Sequence, residues 1–225
     1  MIVSKVCLVR ETTILTDALV QAIVPALQTQ IDRDFYPVWN LRADVSFVPP
    51  GQMIPGGACQ AILVDTSPDV GALGFHDTTD DGWPIAYVAV GDCLRDGLSW
   101  PVTVSHEILE MICDPEITKT VIVNGEEFAF EVADSPEDDS YAYPVLGHHV
   151  TAFVFPSWFD PNGQAPYSYP PIPEINKPFA LAPGGYIGVR PVGGTWSQRF
   201  ADAIPGPRAG HKAPSSRTMR RFSRG

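Results

Sequence analysis

The sequence of 225 residues lacks the features that mark membrane, secreted and disulfide-rich proteins. No apolar run is long enough to span a membrane. Lys5 and Arg10 interrupt the first segment, MIVSKVCLVR, so it does not have the pattern of a secretion signal. The four cysteines are widely spaced and form no CxxC pair. We therefore expect free, buried thiols in a reducing compartment, and a cytoplasmic protein without a membrane partner.

Basic residues are scarce except at the end of the chain. Residues 1–204 hold nine of the 15 basic residues and all 26 acidic ones, giving a net charge of −17, whereas residues 205–225 carry +6. So acidic a body excludes nucleic acid as its partner. The tail is rich in Pro, Gly and Ser, and we expect it to be disordered in isolation. It is either a solvated extension or a segment that docks on an acidic surface, of its own body or of a neighbouring subunit.

Several common catalytic patterns are absent as well. The Gly184-Gly185 and Gly193-Gly194 pairs lack the spacing and context of a nucleotide-binding loop. Serine and cysteine nucleophile chemistry finds no support either, and the chain has no internal repeat.

The segment SHEILE carries the strongest chemical signal in the chain. If it is helical, His106 and Glu110 lie one turn apart on the same face and can reach one metal ion. Glu107 points about 100° around the helix, close enough to act on a water held by that metal. This is the HExxH arrangement of zinc proteases with the second His replaced by Glu. The alternative is a hydrogen bond within the helix between His106 and Glu110, with Glu107 on the surface.

The flanking residues predict a helix around this motif. Ser99 suits the N-cap and Pro101 the first turn. Pro115 ends the helix, because the residue before a proline is biased away from helical geometry. His106 is therefore expected in the interior of a helix of about four turns.

A third ligand must come from another part of the chain. The segment EVADSPEDD, residues 131–139, is dense in carboxylates, and we predict Asp134 as the ligand, with Glu131 and Glu137 as reserves. His148 and His149 are more remote candidates. The same acids are also compatible with a solvated loop or a Ca²⁺ site.

Such a ligand set predicts Zn²⁺ as the cofactor, with one open position for water. Zinc lowers the pKa of its bound water to about 7, and Glu107 would then act as general base. One imidazole with two carboxylates is a harder donor set than that of most zinc enzymes, so Mn²⁺, Fe²⁺ and Ca²⁺ are competitors.

The remaining patterns predict an α+β fold, with a small mixed sheet backed by two helices. A leucine and isoleucine stripe at residues 15, 19, 23, 27 and 31 predicts a first helix over residues 13–35, which Pro25 kinks and Pro37 ends. Strands are predicted at residues 2–9, 43–48, 60–65 and 85–90, with the polar segment GALGFHDTTDDGWP as a loop that holds His76 in a turn. Asn124-Gly125 predicts a hairpin after the motif helix. Residues 144–204, rich in Pro, Gly and aromatics, are predicted to form an irregular lobe packed on the first part.

These segments together resemble the zincin metallopeptidases, and more closely a group of uncharacterised zincin-like proteins of bacteriophages and bacteria. The resemblance covers residues 10–160 and is carried by RDFYPVW, GFHDTTDDGWPIAYV, SWPVTVSHEILEMICDP, FEVADSPEDDSY and FVFPSWFDP. It implies a zincin-like metal-binding domain over residues 1–143, with residues 85–90 as the edge strand. It also implies metal ligation by His106 and Glu110 and a general-base role for Glu107. The fifth motif position is Glu rather than His, and no Met-turn follows.

Two functions from different classes follow. The first is a metal-dependent peptidase that hydrolyses a peptide or protein substrate. The second is a non-catalytic structural protein on a zincin-like fold, associated with a virion and in contact with neighbouring subunits. Tyr141 and Tyr143 are candidates to stabilise an oxyanion beside the metal, although packing in the core is the alternative.

Overall fold

A five-stranded mixed sheet organises the first part of the chain. The computed structural model describes residues 1–69 and 71–201. The sheet has the order β2-β1-β3-β5-β4; every neighbouring pair is parallel except β4 with β5, which is antiparallel. This sheet with its packed helices confirms the predicted α+β class. Its strands are β1 (Lys5–Arg10), β2 (Asp44–Val48), β3 (Cys59–Val64), β4 (Gly74–Thr78) and β5 (Pro84–Ala89).

The edge of this sheet differs from the prediction. Residues 85–90 were expected at the edge, but β5 lies between β3 and β4, so that prediction is wrong. The segment expected to be a loop contains β4, which pairs with β5 and sets His76 opposite Ala86. All five β4 residues are buried, so the strand shows no alternation of polar and apolar side chains that the sequence could reveal.

The first helical region begins and ends about four residues later than predicted and is less regular. Helix α1 (Asp17–Thr29) contains Pro25 and continues through a π-helical segment, Gln30–Phe35, into α2 (Tyr36–Trp39). Pro37 therefore lies inside the helical region, which ends at Asn40 in the left-handed conformation, with φ of 52°.

The predicted apolar stripe on this helix is correct only in part. Leu19 is 52% exposed, whereas Val20 is fully buried. A strict four-residue repeat drifts by about 40° per step around an α-helix, so it cannot remain on one buried face.

The motif helix has the predicted bounds. Helix α3 (Val90–Arg95) follows β5 directly, and α4 (Trp100–Cys113) begins after Ser99 and ends before Pro115. The backbone N–H of Ser99 donates to Asp139 Oδ2 at 2.9 Å, which fixes the start of the helix against the acidic segment. Helix α4 packs against β4 and β5, so its inner face lies beside the antiparallel edge of the sheet.

The rest of the chain contains more regular structure than predicted. The Asn124-Gly125 turn, with φ of 51° and 83°, joins β6 to β7 as expected. Strands from the predicted irregular lobe extend this hairpin into a four-stranded antiparallel sheet in the order β13-β12-β7-β6. The strands after α4 are β6 (Thr120–Val123), β7 (Glu126–Ala129), β8 (Tyr143–Val145), β9 (His148–Val150), β10 (Phe153–Val154), β11 (Ser168–Tyr169), β12 (Tyr186–Pro191) and β13 (Ser197–Phe200).

Aromatic side chains pack the lobe on the first part of the chain. The rings of Phe130 and Phe159 stack with centroids 4.1 Å apart, and Trp39 Nε1 donates to the carbonyl of Val154 at 3.1 Å. All four cysteines are free and buried, as expected. Within residues 1–69 and 71–201 no helix combines the length and the apolar character needed to cross a membrane. The predicted basic tail, residues 205–225, lies outside the described residues.

Candidate metal centre

Three elements bring seven ionisable side chains into one buried space. Helix α4 contributes three of them, β4 contributes one, and the segment after β7 contributes the remaining three. Each is at most 5% exposed. They are His106, Glu107 and Glu110 from α4, His76 from β4, and Glu131, Asp134 and Glu137 from the segment after β7.

The three predicted ligands lie together. His106 Nε2 is 3.2 Å from Glu110 Oε1 and 3.3 Å from Asp134 Oδ1. One donor atom from each of the three residues lies within 4.8 Å of the other two. The one-turn spacing in α4 aligns His106 with Glu110, and the chain that leaves β7 carries Asp134 to the same point.

The contacts of His106 favour a cation between these residues. Within the described chain, Nε2 is buried and neither nearby carboxylate is placed to form a hydrogen bond with it. Nδ1, the other ring nitrogen, is 3.8 Å from Glu137 Oε2. An imidazole nitrogen that faces two carboxylate oxygens without hydrogen-bond geometry is the arrangement expected around a divalent metal.

The charges around His106 also favour a bound cation. Burial disfavours the charged imidazolium, but the negative charges of Glu110 and Glu137, with Asp134 nearby, outweigh burial and raise the pKa of His106 well above its usual value. The site therefore attracts positive charge. Because a metal ligand must be the neutral imidazole, a cation that binds here displaces a proton.

Hydrogen bonds from the surrounding chain orient the carboxylates of Glu110 and Asp134. Tyr186 Oη, on β12, donates to Asp134 Oδ1 at 2.5 Å, and the backbone N–H of Ala133 donates to Glu110 Oε1 at 3.3 Å. Nothing in the sequence indicated Tyr186, because it lies 52 residues after Asp134 in the lobe. Strand β12 of the four-stranded sheet thus supplies a hydrogen bond that orients Asp134 in the candidate metal centre.

Replacing Tyr186 with Phe is expected to weaken metal binding by about 10–100-fold, the usual effect of removing a group that orients a ligand. The ring is retained, so the packing should change little. Isothermal titration with Zn²⁺ measures the effect. Tyr167→Phe is the matched control, because Tyr167 donates to the carbonyl of Gly163 in the lobe. Equal affinities for the two variants would mean that Tyr186 does not position Asp134.

His76 is the residue that sequence reasoning misplaced. It was expected in a turn, yet it is fully buried on β4. Its Nδ1 is 3.7 Å from Glu107 Oε2 and 3.6 Å from Glu110 Oε2, and its Nε2 is 3.9 Å from Glu131 Oε2. The available signal was Asp80-Asp81-Gly82 between FHDT and the β5 residues, which is a hairpin pattern.

Gly74 allows β4 to approach α4 closely beside Glu107. A Cβ atom at this position would lie 2.6 Å from Thr103 Cγ2 and 2.7 Å from Glu107 Oε1. Thr103 is 2% exposed, so its methyl group has little room to move. A larger residue would therefore push β4, with His76, away from the helix.

We expect Gly74→Ala to lower the free energy of unfolding by about 1–3 kcal/mol, the usual result of overpacking a core. Denaturant titration of the metal-free protein measures it. Gly56→Ala is the control, because an added Cβ there meets nothing within 4 Å. If both variants were as stable as the parent, the approach of β4 to α4 would not be tight.

The other sequence candidates lie apart from this centre or have structural roles. His148 and His149, on β9, belong to neither His/carboxylate cluster. Tyr143 donates to Asp34 Oδ2 at 2.9 Å, so its hydroxyl faces the first helical region. Of the acidic segment, Glu131, Asp134 and Glu137 reach the centre, whereas the Asp139 carboxylate accepts from Ser99 at the start of α4.

The residues present fit a divalent cation. One imidazole and two carboxylates converge. The carboxylate oxygens of Glu110 and Asp134 face His106 Nε2, which is buried and has no hydrogen bond within the described chain. Comparison with known proteins gives no match to a family model, to a curated protein or to a solved structure.

Proposed function

We propose that this protein is a zincin-like, metal-dependent peptidase that hydrolyses peptide bonds. His106, Glu110 and Asp134 are the metal ligands, and Glu107 is the general base. The observation that carries the proposal is the convergence of His106 Nε2 with Glu110 Oε1 and Asp134 Oδ1, at 3.2 and 3.3 Å. The order of elements adds support from the zincin resemblance, because a long helical region is followed by sheet strands and then by the motif helix.

The donor set bears on the choice of metal. A bound divalent cation supplies Lewis acidity, which polarises the substrate carbonyl and lowers the pKa of coordinated water. Zn²⁺ is the proposed cofactor because its common ligands are imidazole and carboxylate. Two carboxylates beside one imidazole also admit Mn²⁺, Fe²⁺ and Ca²⁺.

Its position in α4 and its contact with β4 support the proposed role of Glu107 in proton transfer. It follows His106 in α4, and its Oε2 lies 3.7 Å from His76 Nδ1 on the neighbouring strand. Its role is to accept a proton from the attacking water and to deliver that proton to the amine that leaves. Gly74 and His76 flank the carboxylate on the β4 side, which limits where it can point.

The test is hydrolysis by the full chain with metal bound. Purified protein is stripped with a chelator, reloaded with Zn²⁺ or Mn²⁺ and incubated with a mixture of denatured proteins. We expect mass spectrometry to detect new peptide N-termini in the reloaded sample and none in the stripped one. Protein that holds stoichiometric metal and generates no new termini would contradict the peptidase.

One observation favours a second candidate, a non-catalytic structural protein, associated with a virion, in which the metal stabilises the fold. All seven side chains of the centre are at most 5% exposed, whereas a peptidase must admit a substrate. In this case metal raises the melting temperature, no peptide is cleaved, and the partners are neighbouring subunits. The hydrolysis experiment, combined with the melting temperature, separates the two candidates.

A further inference from the structure

We propose that a second divalent cation binds beside the first, held by His76, Glu110 and Glu131, with Glu110 bridging the two ions. This two-metal centre rests on the proposed function only in that the first ion lies at His106, Glu110 and Asp134. It adds β4 to the set of elements that bind metal. Three features of the centre favour a second ion: the donor geometry at His76, the orientation of the Glu110 carboxylate and the enclosed charge.

The donor geometry at His76 matches a metal site. The imidazole is fully buried, and Glu110 Oε2 lies 3.6 Å from Nδ1, the ring nitrogen that would bind the ion. Glu131 Oε2 lies 3.9 Å from Nε2, on the other side of the ring, so the Glu131 carboxylate must turn towards Nδ1 to join this ion. One donor atom from each of the three residues lies within 4.8 Å of the other two. Metal–ligand bonds of about 2.1 Å place tetrahedral ligands roughly 3.4 Å apart, so His76 Nδ1 and Glu110 Oε2 already have nearly the required separation.

The two oxygens of Glu110 face different imidazoles. Oε1 lies 3.2 Å from His106 Nε2, and Oε2 lies 3.6 Å from His76 Nδ1. Glu110 is fully buried, and the N–H of Ala133 donates to Oε1, which restricts rotation of the carboxylate. A carboxylate held between two ligand pairs is the usual bridge in two-metal sites, where the ions are about 3.5–4 Å apart.

The enclosed charge also favours two cations. With neutral imidazoles, the five carboxylates of the centre carry a formal charge of −5, which one divalent ion reduces to −3 and two reduce to −1. Isolated charge in a buried site has a large desolvation cost. The second ion therefore brings these seven side chains closer to neutrality.

The test is metal stoichiometry rather than activity. Metal-free full-length protein is saturated with Mn²⁺ or Zn²⁺, and bound metal is counted by native mass spectrometry. We expect two ions per chain in the parent and one in His76→Ala. Glu131→Gln is also expected to bind one ion. Because it keeps the size of the side chain, it tests the second site even if His76→Ala fails to fold. His149→Ala, an exposed histidine on β9, is the control and should bind two.

A spectroscopic signature accompanies the count. Two Mn²⁺ ions bridged by one carboxylate give an exchange-coupled electron paramagnetic resonance spectrum, and we expect His76→Ala to convert it to that of isolated Mn²⁺. A parent protein with one ion, lost in His106→Ala but retained in His76→Ala, would overturn the second site and leave the proposed peptidase intact. Two ions in both the parent and His76→Ala would overturn the assigned ligands. No bound ion would overturn both proposals.

Discussion

Glu107→Gln is expected to lower the rate of peptide hydrolysis by a factor of about 10²–10⁴, the range that a positioned general base contributes. Glutamine has nearly the same shape but cannot accept the proton. Because Glu107 is not one of the three proposed ligands of the first metal ion, that ion should remain bound. The measurement is kcat/KM on a cleaved peptide, together with metal content.

Glu174→Gln is the matched control for this substitution, because Glu174 is exposed in the lobe and lies apart from the seven side chains of the centre. It should leave both activity and metal content unchanged. If Glu107→Gln kept more than half of the activity, the general-base role would be wrong. If it lost the metal along with the activity, Glu107 would be a ligand instead.

The second large effect is the increase in thermal stability that we expect when Zn²⁺ binds. A ligand that binds only the folded state at 1,000 times its Kd stabilises that state by about 4.1 kcal/mol. One kcal/mol shifts the melting temperature of a protein of this size by about 2–4 °C. We therefore expect saturating Zn²⁺ to raise the melting temperature of the metal-free protein by about 8–16 °C. His106→Ala should abolish most of this shift.

His149→Ala again serves as the control, and its melting temperature should rise with Zn²⁺ as that of the parent does. His106→Gln provides a second variant that fills more of the space left by the imidazole. An equal shift in the parent and in both His106 variants would place the stabilising ion elsewhere in the molecule.

Short sequence patterns were sufficient to predict the helix that carries His106 and Glu110 and the hairpin that follows it. Ser99, Pro101 and Pro115 bracket α4, so the sequence alone predicted that His106 and Glu110 share a helix face. Asn124-Gly125 predicted the hairpin that follows. Asp134 lies in a carboxylate-rich segment after this hairpin, and the structure brings its Oδ1 to 3.3 Å from His106 Nε2. For the helix and the hairpin, the governing residues lie within a few positions of the feature.

The features that the sequence did not predict depend on contacts between segments that are distant along the chain. His76 could not be assigned from its neighbours, because β4 is a strand through its antiparallel pairing with β5 and its packing on α4. The same pairing moves β5 away from the edge of the sheet. Tyr186 reaches Asp134 only because β12 pairs with β7, which adds lobe strands to the hairpin. A one-dimensional pattern carries little of this information.

Crystals of the Zn²⁺-loaded full chain, with diffraction data collected on both sides of the zinc absorption edge, test the central claim most directly. We predict an anomalous peak at about 2.0–2.2 Å from His106 Nε2 and from one oxygen each of Glu110 and Asp134. No peak at that position, with His106 hydrogen-bonded directly to the two carboxylates, would contradict the proposed metal centre and the peptidase built on it.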